Sequence, residues 1–166
     1  LFVPVTDAIT FVEGRKIVSV GKAGDPLPAN AQVIDLGDKT LVPGLIDMHT
    51  HLTDRPQDTA DLGIFFRRSD QDQAVNSAQH ARATLLAGFT SVRNVGTYIA
   101  WSDRALRDEI NAGRVAGPRM QVVGYYLTIP GGGGDLLIPG VAEADIPARV
   151  RAGVARGPED FRRKAQ

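Results

Sequence analysis

The chain has 166 residues, enough for one domain with a substantial buried core, and its 43% hydrophobic and 23% charged residues give a globular profile. Lys plus Arg and Asp plus Glu both number 19, so the basic excess that nucleic-acid and membrane-surface binding draw on is missing, and no apolar run approaches the roughly 20 residues of a membrane span. With no cysteine, disulfides, cysteine-ligated zinc and a thiol nucleophile are excluded.

Residues 1–41 read as a small antiparallel β unit. Phe2-Val3, residues 9–12 and residues 16–20 are β-branched or aromatic, with turns at Glu13-Gly14 and Gly21. Residues 25–30 are too proline-rich for a helix or a central strand, and residues 32–36 give one more strand before the Gly37-Asp38 turn. At Pro43-Gly44 the pattern changes. Residues 45–49 form a short apolar run, expected to be a strand buried on both faces.

A helix is predicted from Ser69 to Ala87, with Ala74, Ala78, Ala81 and Leu85 on one face, Ser69 as its cap and Gly88 as its stop. Residues 89–96 read as a second strand. Ser102-Asp103 open a second helix that reaches Asn111 and stops near Gly113. Residues 120–124 form a third strand, a glycine run follows at 131–134, and a last helix opens at residues 156–160. Alternating strand and helix from residue 42 to 166 implies parallel βα units, and three of them are too few to close a barrel.

Two of the three histidines are His49 and His51. A strand repeats every two residues, so both imidazoles leave the same face at the strand end, the rim where parallel α/β folds build their sites. Two neutral imidazoles on one face can grip one divalent ion, and such an ion brings the pKa of bound water to about 7. Taken alone, the pair reads equally well as two loop histidines with ordinary hydrogen bonds.

The residues around the pair shift that balance. The stretch LVPGLIDMHTHL at 41–52 resembles the PGxIDxHxH opening of the amidohydrolase superfamily. EGRKIVSVG at 13–21, TLLAGFTSVRNVG at 84–96, Gly117-Pro118-Arg119 and Gly131 to Asp135 are similar to further segments of its imidazolonepropionase and Xaa-Pro dipeptidase (prolidase)-like branch. The resemblance implies a TIM-type (β/α)8 barrel with its first three βα units in residues 42–166, and a small N-terminal β subdomain in 1–41.

It further implies a hydrolase that cleaves a C–N amide bond with metal-activated hydroxide, with His49 and His51 as first-strand ligands of two zinc ions per full-length chain. A carboxylated lysine, two more histidines and an aspartate would follow after residue 166. The implied substrate is a small-molecule amide bearing a carboxylate, either a dipeptide or an N-acyl amino acid. Cyclic amide hydrolysis and deamination are alternatives, and a metal-free scaffold barrel is an alternative of another class. The remainder of the same chain and a homo-oligomer are the implied partners.

Two residues depart from the family pattern: Asn94 stands for an aspartate, and Gly133 for the histidine of a GGHGD segment. Asn94, Tyr125 and Gly133 are candidate substrate contacts, and Asp47 is a candidate to orient a ligand from behind. His80, Lys164 and Trp101 read as surface, solvated charge and packing. No charged segment followed by an apolar one opens the sequence, which points to the cytoplasm; a start at Leu1 leaves secretion or the periplasm open.

Overall fold

A computed structural model describes residues 4–166, so the expected Phe2-Val3 strand lies outside the described residues. The chain divides into two compact units between Leu41 and Val42. The first contains a hairpin of β1 (Ala8–Glu13) and β2 (Lys16–Lys22), paired antiparallel with a bulge between Phe11 and Val12. Its two-residue loop begins with Gly14 at φ +59°, the left-handed conformation that such loops demand at their first position and glycine adopts at no steric cost. Residues 32–36 form no strand, contrary to expectation. Val33 and Ile34 lie exposed, and the segment ends in a turn in which the Gly37 amide donates to Asp35 (2.8 Å). An apolar run becomes a strand only where an edge is there to pair with it.

In the second unit β3 (Leu45–Thr50), β4 (Phe89–Asn94) and β5 (Arg119–Gln121) pair in parallel, in that order. Helices make the crossovers: α1 (Ile64–Arg67) and α2 (Asp70–Leu86) between β3 and β4, and α3 (Ser102–Asn111) between β4 and β5. A fourth, α4 (Gly157–Ala165), follows the long segment after β5. The predicted boundaries of α2 and α3 hold within a residue or two because their signals are local. The Ser69 hydroxyl accepts the Asp72 amide (3.0 Å), and Gly88 at φ +95° turns the chain out of α2.

Three expectations fail where tertiary partners decide. The buried face of α2 is Gln73, Ser77 and Ala81, about one residue round from the predicted alanine stripe. The loop after β3 offers polar partners there: Gln73 donates to the Thr53 carbonyl and accepts from Arg68 (3.1 Å). The strand β3 is an edge strand, and Leu45, Ile46 and Met48 are exposed rather than covered on both faces. And α3 is capped by Trp101 at φ +66°, one residue before the predicted Ser102.

Two apolar clusters hold this unit together. Leu52, Ala81, Val92 and Leu106 fill the space between the sheet and α2–α3. Phe65, Ile99, Leu136, Ile146 and Val150 pack beneath the loops on the site-bearing side. Beside Phe65, Arg68 meets Asp58 at 2.5 Å, both side chains under a tenth exposed. No helix among the described residues is long and apolar enough to cross a membrane. Since Phe65 is 1% exposed, Phe65→Ala is expected to lower stability by about 3–5 kcal/mol in urea unfolding. A loss below about 1 kcal/mol would mean that the second cluster does not act as a core.

Candidate metal site

The last residue of β3 is Thr50, and the chain leaves the sheet under tight control. Thr50 Oγ1 donates to the Arg93 carbonyl (3.2 Å), and the Thr50 carbonyl accepts the Val95 amide (3.0 Å). The Leu52 amide donates to Asn94 Oδ1 (2.8 Å), and the Asp54 amide returns to the His51 carbonyl (3.2 Å). His49 and His51 stand on either side of this anchored residue. Their ring centroids lie 5.4 Å apart with planes at 74°. Two imidazoles sharing one tetrahedral ion through ring nitrogens at about 2.0–2.1 Å hold their centres roughly 5 Å apart, close to the spacing of this pair.

The second nitrogen of His51 supports the same reading. Its Nδ1 lies 3.1 Å from the Gly96 carbonyl and 2.9 Å from Tyr126 Oη. A carbonyl only accepts, so the Gly96 contact requires the proton on Nδ1 and leaves Nε2 with a free lone pair, the form a metal needs. Asp47 acts on the backbone: its Oδ1 accepts the His49 amide (2.9 Å), which fixes the strand where that imidazole stands. Among the described residues no third His, Cys, Asp or Glu joins the two imidazoles. Two imidazoles supply half of a tetrahedral ligand set.

The other candidates are placed less simply. Asn94, expected at the substrate rim, is completely buried. It accepts from Leu52 and donates to the Gly96 carbonyl (3.1 Å), with Asp103 3.5 Å away, so it braces the site and presents nothing to a substrate. Tyr125, the candidate contact of the tyrosine pair, gives its hydroxyl to the Lys164 carbonyl (2.9 Å), and the neighbouring Tyr126 is the phenol that meets His51. The turn at Gly124 (φ +91°) sets which of the two faces the site, and periodicity cannot read across it. Lys164 is not simply solvated, because its ammonium donates to the carbonyls of Ala152 (2.8 Å) and Val154 (2.7 Å). His80 likewise is half-buried and donates Nδ1–H to the Leu52 carbonyl (3.0 Å). Gly133 accepts the Tyr98 hydroxyl (3.3 Å), with open space where a side chain would project.

One residue escaped the sequence reading. Asp54, three residues after His51, has both carboxylate oxygens buried without a hydrogen-bond partner. Burial first, and then the charge of Asp58, push its pKa up to about 7, against the opposing pull of Arg68. Burial and the Asp54 charge also raise the Tyr126 phenol well above its ordinary range. The only signal in the sequence was a carboxylate close behind the histidine pair, and nothing local announces that it is buried.

The proton on Asp54 has a consequence for stability. Its folded pKa lies above the ordinary aspartate value of 3.8, so the unfolded chain ionises first as pH rises. The stabilising contribution of the neutral acid is complete below about pH 4 and gone above about pH 7. Metal-free protein should therefore lose stability relative to Asp54→Asn across that interval, at up to about 1.4 kcal/mol per pH unit. Parallel stability–pH curves for the two proteins would refute the assignment.

Comparison with known proteins agrees with the histidine motif. The amidohydrolase family model matches residues 40–165. The chain is similar to a dihydroorotase of Mycobacterium leprae, 46% identical over 81 residues that cover 49% of this chain and 15% of that protein. It is similar to an imidazolonepropionase of Streptomyces griseus, 26% identical with 86% of this chain and 42% of that protein covered. Among solved structures, a Xaa-Pro dipeptidase with methionine bound in its active site superposes with a TM-score of 0.75 at 34% identity, covering 92% of this chain and 38% of that one. The chain thus spans less than half the length of each of these relatives. The fold neighbours of the chain belong to a TIM-barrel superfamily whose members are typically metal-dependent, and the three parallel strands described above close no barrel among the described residues. With a family match over most of its length and an HxH pair at the end of its first parallel strand, the chain belongs to the amidohydrolase family.

Proposed function

We propose that the protein containing this chain is a metal-dependent hydrolase of amide C–N bonds, with His49 and His51 holding part of its metal centre. The observation that carries the reading is the imidazole pair itself, 5.4 Å between centroids, with Nδ1 of His51 committed to a carbonyl and Nε2 left to bind. When bound, a zinc-class ion supplies hydroxide at neutral pH and polarises the scissile carbonyl. The residues of this chain contribute placement. Asp47 fixes the backbone at His49, Asn94 ties the outgoing chain to β4, and the Gly96 carbonyl holds the His51 tautomer. The proposal includes two zinc ions per full-length chain, further ligands and the general acid contributed from beyond residue 166, and a barrel completed by that remainder around residues 42–166.

For the substrate, the likeness to the Xaa-Pro dipeptidase structure over 92% of this chain favours a linear amide carrying a carboxylate, a dipeptide or an N-acyl amino acid. A cyclic amide is the second reading, supported by the 46% identity to a dihydroorotase across 81 residues.

Metal analysis of the full-length protein is expected to find about two zinc-class ions, and His49→Asn or His51→Asn should reduce that content and lower kcat at least 10²-fold. Wild-type protein without metal would support a scaffold barrel instead. A panel of dipeptides, N-acyl amino acids and cyclic amides separates the two substrate readings: turnover confined to the rings would overturn the linear one.

A further inference from the structure

A ladder of aromatic rings runs from the buried cluster to the candidate metal ligands. Phe65 and Tyr98 have centroids 4.9 Å apart, Tyr98 and Tyr126 4.9 Å, Tyr126 and His51 5.8 Å, and His51 and His49 5.4 Å. Phe65 at its base is 1% exposed, so the ladder stands on a fixed foundation. The chain is also shaped around Tyr126. A Cβ at Gly96 would come 2.2 Å from its ring, one at Gly134 2.4 Å from its Cβ, and one at Gly153 1.8 Å from its carbonyl oxygen. Three glycines from three segments leave the slot in which this tyrosine lies, and its hydroxyl reaches His51 Nδ1 at 2.9 Å.

We infer that Tyr126 is a positioning residue for the metal ligand His51: together with the Gly96 carbonyl it receives the Nδ1 hydrogen and stops the imidazole from rotating, so that Nε2 stays aimed at the ion. The Gly96 carbonyl fixes where the proton sits, and one acceptor alone leaves the ring free to swing about that bond. The phenol supplies the second point, and the ladder behind it makes that point rigid. Groups that orient metal-bound histidines in this way typically contribute 10–100-fold to metal affinity. The inference rests on His51 being a metal ligand, and the test separates the two.

Tyr126→Phe in the full-length protein keeps the ring in its slot and removes only the hydroxyl. Zinc affinity, measured by chelator competition, is expected to fall about tenfold or more, and the visible absorption of the Co2+-loaded protein to change, while the thermal midpoint of the metal-free protein stays within about 2 °C. Tyr98→Phe serves as the control; it loses the bond to Gly133 and should leave affinity and spectrum as in wild type. If wild type binds metal while Tyr126→Phe matches it in affinity within twofold and in spectrum, the positioning role falls and the metal reading stands. If wild type binds no metal, both fall. Should Tyr126→Phe fail to fold, Gly134→Ala, which crowds the base of Tyr126 but leaves its hydroxyl, provides the second variant. Unchanged affinity and an unchanged Co2+ spectrum in that protein also overturn the role.

Discussion

The candidate site depends on how one strand ends. Residues 49 and 51 share a side only while the backbone between them stays extended, and an extended chain that runs out of its sheet has no hydrogen-bond partners of its own. Here the partners come from β4 and the residues after it. Thr50 bonds to Arg93 and Val95, and the Leu52 amide finds the Asn94 side chain. Asn94 completes the arrangement from inside, because the Gly96 carbonyl that accepts its amide also accepts His51 Nδ1. One buried side chain therefore links the strand exit, the neighbouring strand and the orientation of the His51 ring. An aspartate in its place would lack the NH2 donor and leave the bond to Gly96 unmade.

Around that exit the interior is unusually polar. Thr53, Asp58, Arg68, Gln73 and Ser77 are all buried within the segment that joins β3 to α2 and in the first half of that helix. Most are paired, but the Thr53 hydroxyl and both oxygens of Asp54 are not. Unpaired buried polar atoms cost free energy and occur in native proteins chiefly where function or an ion accounts for them. Their position three residues or fewer from His51 ties this local cost to the same end of the sheet that carries the histidines.

Much of this was legible in the sequence, for identifiable reasons. The helices α2 and α3 announced themselves through caps and glycine stops, which act over three or four residues, and β3 through a short apolar run after Pro43-Gly44. The histidine pair was legible because period two is a property of any strand. What failed depended on distant neighbours. The inner face of α2 was set by the Thr53 carbonyl and Arg68, the exposure of β3 by its place at the sheet edge, and residues 32–36 pair with no strand among the described residues. Tyr126 rather than Tyr125 meets His51 because Gly124 resets the alternation after β5. The Asp54 carboxylate was invisible, because burial of one acid among several is decided only when the loop closes.

The outer edge of β3 carries one further implication. Among the described residues this strand pairs only with β4, and its Leu45, Ile46 and Met48 are exposed. An unpaired apolar rim of that kind templates the addition of another strand, its own copy included. Residues 1–166 expressed by themselves would accordingly become less soluble with concentration, and charged residues placed on that rim would counter the effect.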